Sequence, residues 1–69
     1  MDRAEISKTI KNLMLEKGLK QTELAAKLQM DYQSLTRAIN NRRPIYAEEL
    51  PRFAAALGVS VGALVGMAA

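Results

Sequence analysis

The stretch Gln21 to Asn41, QTELAAKLQMDYQSLTRAINN, holds two short helical patterns that meet across a tight break. Leu24, Ala25 and Leu28 share one face of the first pattern, at i, i+1 and i+4. Leu35, Ala38 and Ile39 share one face of the second, at i, i+3 and i+4. Only Gln29, Met30 and Asp31 stand between them, too few residues for an ordinary surface loop. Asp31 can cap the second helix by accepting a bond from the backbone N–H of Gln33 or Ser34. Helices joined this closely cannot lie side by side, so the spacing predicts a steep crossing.

The second helix carries different chemistry on its other side. At about 100° per residue, Tyr32, Thr36, Asn40, Gln33 and Arg37 occupy one arc of roughly 140°. Each of these side chains can donate a hydrogen bond and none is acidic. That suits the major groove of DNA, where purine edges present acceptors and thymine a methyl group. A solvated helix face is the bland alternative, and the tight turn together with the nearby cations favours the groove.

GLKQTELAAKLQMDYQSLTRAINN resembles the helix-turn-helix of the lambda-type repressor and Cro family, the Cro/C1 or XRE type. That family typically reads G-L-T-Q-x-E-L-A-x-x-x-G-V-S, followed by a recognition helix ending in N-G. Gly18, Leu19, Gln21, Glu23, Leu24 and Ala25 match it directly, as do Leu35 at an apolar position and Asn40. The flanking segments fit a five-helix version of the same fold, so the resemblance covers most of the chain. It implies an all-α, lambda repressor-like domain spanning residues 1–69, with helices two and three forming the motif.

Three departures from the pattern have local consequences. Lys20 stands where the family has a Thr or Ser cap, so that cap is lost or shifted to Thr22; the loss costs about 1 kcal/mol. Gln29 takes the turn position of a Gly, which predicts a positive φ and a strain of about 1–2 kcal/mol. Asn41 replaces the Gly after the recognition helix, and Asn is the next-best residue for a left-handed cap.

With 69 residues, no cysteine and no histidine, the chain has neither a disulfide framework nor the usual zinc ligands. One Phe, two Tyr and no Trp predict a core of Leu, Ile, Val, Ala and Met. No acid–base pair suggests an enzyme, and neither a cofactor nor a metal is expected. The net charge of +3 is unevenly placed: Lys17 to Arg43 carries six basic and two acidic residues, the remainder four and five. The positive charge therefore sits where DNA would pass. The charged amino terminus does not read as a signal peptide. The uncharged tail from Phe53 to Ala69 is 17 residues long, too short and weakly apolar for a membrane span.

The remaining helices follow from periodicity and caps. Helix 1 is expected from about Arg3 to Lys17, capped by Asp2 and ended by Gly18, burying Ile6, Ile10 and Leu13 with Met14 beside them. Helix 2 is expected over Gln21 to Leu28. Helix 4 is expected over Ala47 to Leu57, burying Leu50, Phe53, Ala54 and Leu57; Pro51 implies either a late start or a bend. Ser60 can cap a short helix 5 from Val61 to Val65, with Leu64 in the core.

From these residues the sequence yields a site. Tyr32, Gln33, Thr36 and Arg37 are expected to read bases, Gln33 suiting adenine and Arg37 guanine. Lys20, Gln21, Asn40, Arg42 and Arg43 are expected at phosphates, although arginines after a helix C-terminus also complement its dipole. In the resemblance Gln21 also braces the recognition helix. Val61, Val65 and Met67 exceed what a one-turn helix can bury and are candidates for a twofold dimer surface.

The resemblance implies a transcriptional regulator, most simply a repressor binding a double-stranded DNA operator as a homodimer. No small-molecule ligand or membrane partner is expected, and the implied location is the bacterial cytoplasm, at the nucleoid. Two rivals use the same fold: an antitoxin that also holds a toxin, and a protein–protein adaptor that has lost DNA binding. Glu23 and Asp31 near the DNA side favour the adaptor; Arg37, Arg42 and Arg43 oppose it.

Overall fold

Five helices and no strand make up the described part of the protein, a computed structural model covering residues 3–66, with side chains from residue 5. They are α1 (Arg3–Lys17), α2 (Gln21–Leu28), α3 (Tyr32–Ile39), α4 (Leu50–Leu57) and α5 (Val61–Val65), with a 3₁₀ turn at Ala47–Glu49 before α4. This is the all-α, five-helix arrangement expected from the sequence.

One core joins all five. Ile6, Ile10 and Met14 enter it from α1, Leu24 and Leu28 from α2, Leu35 and Ile39 from α3, Phe53 and Leu57 from α4, and Leu64 from α5. Phe53 is fully buried and is the largest side chain there. The other large, fully buried side chains are all Leu or Ile, as the poverty of aromatics predicts. α1 packs on α3, α4 and α5, and α2 packs on α3 and α4, so α3 is held from two sides with its third face open. On α1 the stripe turns by one residue from expectation. Met14 is buried and Leu13 is only partly so, because Met14 lies one helical turn beyond Ile10 on the core-facing side.

Helices α1 to α4 end in one way. A residue at positive φ follows each: Gly18 (φ 62°), Gln29 (54°), Asn41 (58°) and Gly58 (70°). The next backbone N–H reaches back to a carbonyl in the last turn: Leu19 to Met14 at 2.9 Å, Met30 to Ala25 at 2.9 Å, Arg42 to Arg37 at 2.7 Å and Val59 to Ala54 at 3.0 Å. These are Schellman-type ends, which usually set an apolar residue beside the helix they close. Leu19, Met30 and Val59 do pack against the core. The fourth follower, Arg42, is exposed.

Two helix starts differ from the sequence reading. Lys20 is the N-cap of α2, and Thr22 lies inside the helix, so the side-chain cap is lost rather than moved. An ammonium cannot accept a bond from the helix N–H groups. Only the reverse half of a capping box forms, with the Lys20 N–H donating to Glu23 Oε1 at 2.9 Å. The single helix expected from Ala47 is divided. The 3₁₀ turn comes first and α4 begins at Leu50, with Pro51 in its first turn, where the missing N–H has no partner to lose. Leu50, expected in the core, is consequently only partly buried. Ser60 Oγ caps α5 by accepting from the Ala63 N–H at 3.1 Å. Asp2, expected as the cap of α1, lies outside the described residues.

Candidate nucleic-acid interface

α3 starts at Asp31, whose Oδ2 accepts from the Ser34 N–H at 3.1 Å. The carboxylate supplies one of the acceptors that the first turn lacks and places negative charge at the positive end of the helix. Leu35, Ala38 and Ile39 are then buried, and Tyr32, Gln33, Arg37 and Asn40 are exposed. The apolar and polar faces separate as the 3.6-residue period requires.

Two bonds fix α3 against rotation. The buried Ser7 hydroxyl on α1 donates to the Ala38 carbonyl at 2.9 Å. From α2, Gln21 Nε2 donates to Thr36 Oγ1. Thr36 Oγ1 itself donates to the Tyr32 carbonyl at 2.9 Å, so the hydroxyl has both roles filled within the fold. Thr36 is half-buried, and its methyl group is what remains to be offered outward. The Gln21 amide has two N–H groups, one of which holds Thr36. Ser7 was missed by sequence reasoning; a lone serine on an apolar stripe is the only signal that could have marked it.

The residues expected at phosphates separate into two groups. Lys20 and Arg42 are exposed, Gln21 is half-buried, and exposed Asn40 donates from Nδ2 to the Thr36 carbonyl at 2.8 Å. Arg43, also expected at a phosphate, is different in that its guanidinium is engaged within the chain. Its Nε donates to the Ser34 carbonyl at 3.1 Å, and Nη1 donates to the Pro44 carbonyl at 2.8 Å and to Glu49 Oε1 at 3.0 Å. Nη2 donates to Glu49 Oε2 at 3.2 Å and meets the Met30 sulfur at 3.6 Å. A guanidinium has five N–H groups, and all five are occupied inside the chain. Arg43 braces the segment after α3.

Glu49 completes that brace. Its Oε1 also accepts from the Tyr46 N–H at 2.9 Å, closing the 3₁₀ turn. Burial raises the pKa of this carboxyl, but the Arg43 bond, the Tyr46 N–H and the charges of Arg43 and Arg52 outweigh it and hold it below its ordinary value. The spacing Tyr46-x-x-Glu49 repeats Lys20-x-x-Glu23, a capping signal the sequence reading did not use. Arg52 was also missed: its Nη2 donates to the Leu28 carbonyl, satisfying the open end of α2.

Val61 is 38 % exposed, and Val65 packs partly against the core. Met67, expected at the same surface, lies outside the described residues. Among the described residues no cluster of three or more His, Cys, Asp or Glu could hold a metal ion. No described helix is long and apolar enough to cross a membrane.

Against known protein families, the model described as Helix-turn-helix matches residues 10–64, from the middle of α1 to the core residue of α5. No curated protein and no solved structure matches.

Proposed function

The chain belongs to that helix-turn-helix family of DNA-binding regulators, in its Cro/C1 (XRE) form, and we propose that it is a repressor that reads an operator as a homodimer. The observation that carries this reading is the open face of α3. Tyr32, Gln33, Arg37 and Asn40 are exposed on a helix fixed by Asp31, by Ser7 and by Gln21. A helix held this firmly presents its side chains in register, as bidentate base contacts require.

Gln33 is assigned to adenine N6 and N7, and Arg37 to guanine O6 and N7. Tyr32 and the Thr36 methyl group are assigned to thymine methyls, with the Tyr32 hydroxyl also able to reach a phosphate. Lys20, Gln21, Asn40 and Arg42 are assigned to the backbone on either side of the groove. Arg42 has the best support, since it is exposed where three other helix ends tuck an apolar residue inward.

Residues 1–69 are read as one domain, supported by the single core that all five helices share. One such domain makes few base contacts, each supplying about 1–3 kcal/mol of discrimination. A second copy about one helical turn away along the duplex roughly doubles it. Val61, Val65 and Met67 are proposed as the surface joining the copies, and repression then follows from occluding polymerase.

Selection from a random-sequence DNA pool at two salt concentrations tests the reading. The expected result is a short inverted repeat, retained less well at high salt. Enrichment of nothing, with little DNA held even at low salt, would sink it.

A further inference from the structure

Beside the start of α2 the surface carries an open groove of about 240 Å³, lined by Lys11, Met14, Leu15, Leu19, Gln21 and Ile39. Leu15 is 80 % exposed, the most exposed large hydrophobic side chain among the described residues. It lies off the α3 face, and contact with a phosphate backbone would leave its apolar surface unused. We propose that this groove docks a protein segment of acidic, amphipathic character, which sets one apolar side chain against Leu15 and its carboxylates against the neighbouring lysines.

The charge around Leu15 defines that partner. At about 100° per residue, Lys8 and Lys11 lie within roughly 40° of Leu15 on α1. Glu5 and Glu16 lie about 80–100° away, on the side opposite Met14 and the groove. No acidic residue lines the groove, and Lys11 is the cation on its wall. An apolar strip rimmed by cations is complementary to an apolar residue flanked by Asp and Glu. The size agrees: pockets for small molecules run about 300–1,000 Å³, and this shallower groove suits one or two side chains of a helix or extended peptide.

The test uses the full chain as bait for a displayed library of random peptides about sixteen residues long, roughly four helical turns. Enriched peptides are then measured by fluorescence anisotropy against the wild type, Leu15→Glu and Lys11→Glu, with circular dichroism confirming that the variants fold. The expected peptides carry a Leu, Ile, Met or Phe among several acidic residues. Leu15→Glu should weaken them at least about tenfold, as loss of an interface anchor does, and Lys11→Glu should weaken them and lessen their salt dependence. No enrichment, enriched peptides without acidic residues, or binding insensitive to both substitutions would each overturn the proposal. The same variants go through the DNA selection. Unchanged DNA binding beside lost peptide binding supports a separate docking face, and lost DNA binding with no peptide enriched assigns the groove to nucleic acid instead. Peptide binding is read without DNA present, so its outcome stands apart from that of the operator reading.

Discussion

Arg43 and Glu49 face each other through two parallel bonds, Nη1 to Oε1 at 3.0 Å and Nη2 to Oε2 at 3.2 Å, with both side chains more than four-fifths buried. Such a fork-to-fork pair links the segment after α3 to the turn before α4. Removing one partner strands the other charge, which is the costly way to break a shielded pair. Arg43→Ala is expected to destabilise the fold by about 1–3 kcal/mol, the cost of leaving shielded hydrogen-bonding groups unmatched. Urea denaturation of Arg43→Ala, Glu49→Gln and the double variant would show it, with the double variant losing less than the two singles together.

Acid should weaken the same link. The Glu49 carboxyl is held below its ordinary value of 4.5, so it contributes stability that is complete above that pH and is lost as pH falls through the folded-state value. Thermal unfolding between neutral pH and about pH 3 should show the wild type losing more stability than Glu49→Gln. Parallel curves for the two proteins would refute the assignment.

Arg42 and Arg43 are sequence neighbours with opposite expectations. Arg42→Ala should weaken binding to all DNA sequences alike and reduce the slope of log affinity against log salt by about 1. Arg43→Ala, measured well below its melting point, should leave that slope in place. A slope reduced by Arg43→Ala and untouched by Arg42→Ala would reverse the assignment.

Arg37→Ala should cost about 1–3 kcal/mol of binding and relax the preference at one base pair. Binding-site selection with the variant reads this directly, and an unchanged sequence logo would remove Arg37 from the reading face.

Gln29 occupies a left-handed conformation at φ 54° that glycine adopts freely. Gln29→Gly should therefore stabilise the protein by about 1 kcal/mol, raising Tm by roughly 4–8 °C for a domain of this size. A lowered Tm would mean that the Gln29 side chain contributes more than its backbone conformation costs.

The sequence made the helices legible because their signals are local. Asp31 and Ser60 cap, Gly18 and Gly58 terminate, and the i, i+3, i+4 pattern of Leu35, Ala38 and Ile39 marks a buried face. What it hid depends on distance. Ser7 and Ala38 meet only because α1 crosses α3, 31 residues apart in sequence. The charge of Arg43 is visible in the sequence and Glu49's position beside it is not. Pro51 left two outcomes open, and the late start prevailed because the 3₁₀ turn closed by Glu49 puts the proline in the first turn of α4.

Thr36 has its hydroxyl bonded on both sides within the fold, to Gln21 and to Tyr32. The outward vocabulary of α3 is thereby left to side chains that support no packing, Gln33 and Arg37 above all. On the proposed reading of α3, stability and readout are separable traits on one helix of eight residues. Drift or design can rewrite positions 33 and 37 without renegotiating the core, so new specificities are reachable by steps that each leave a folded protein.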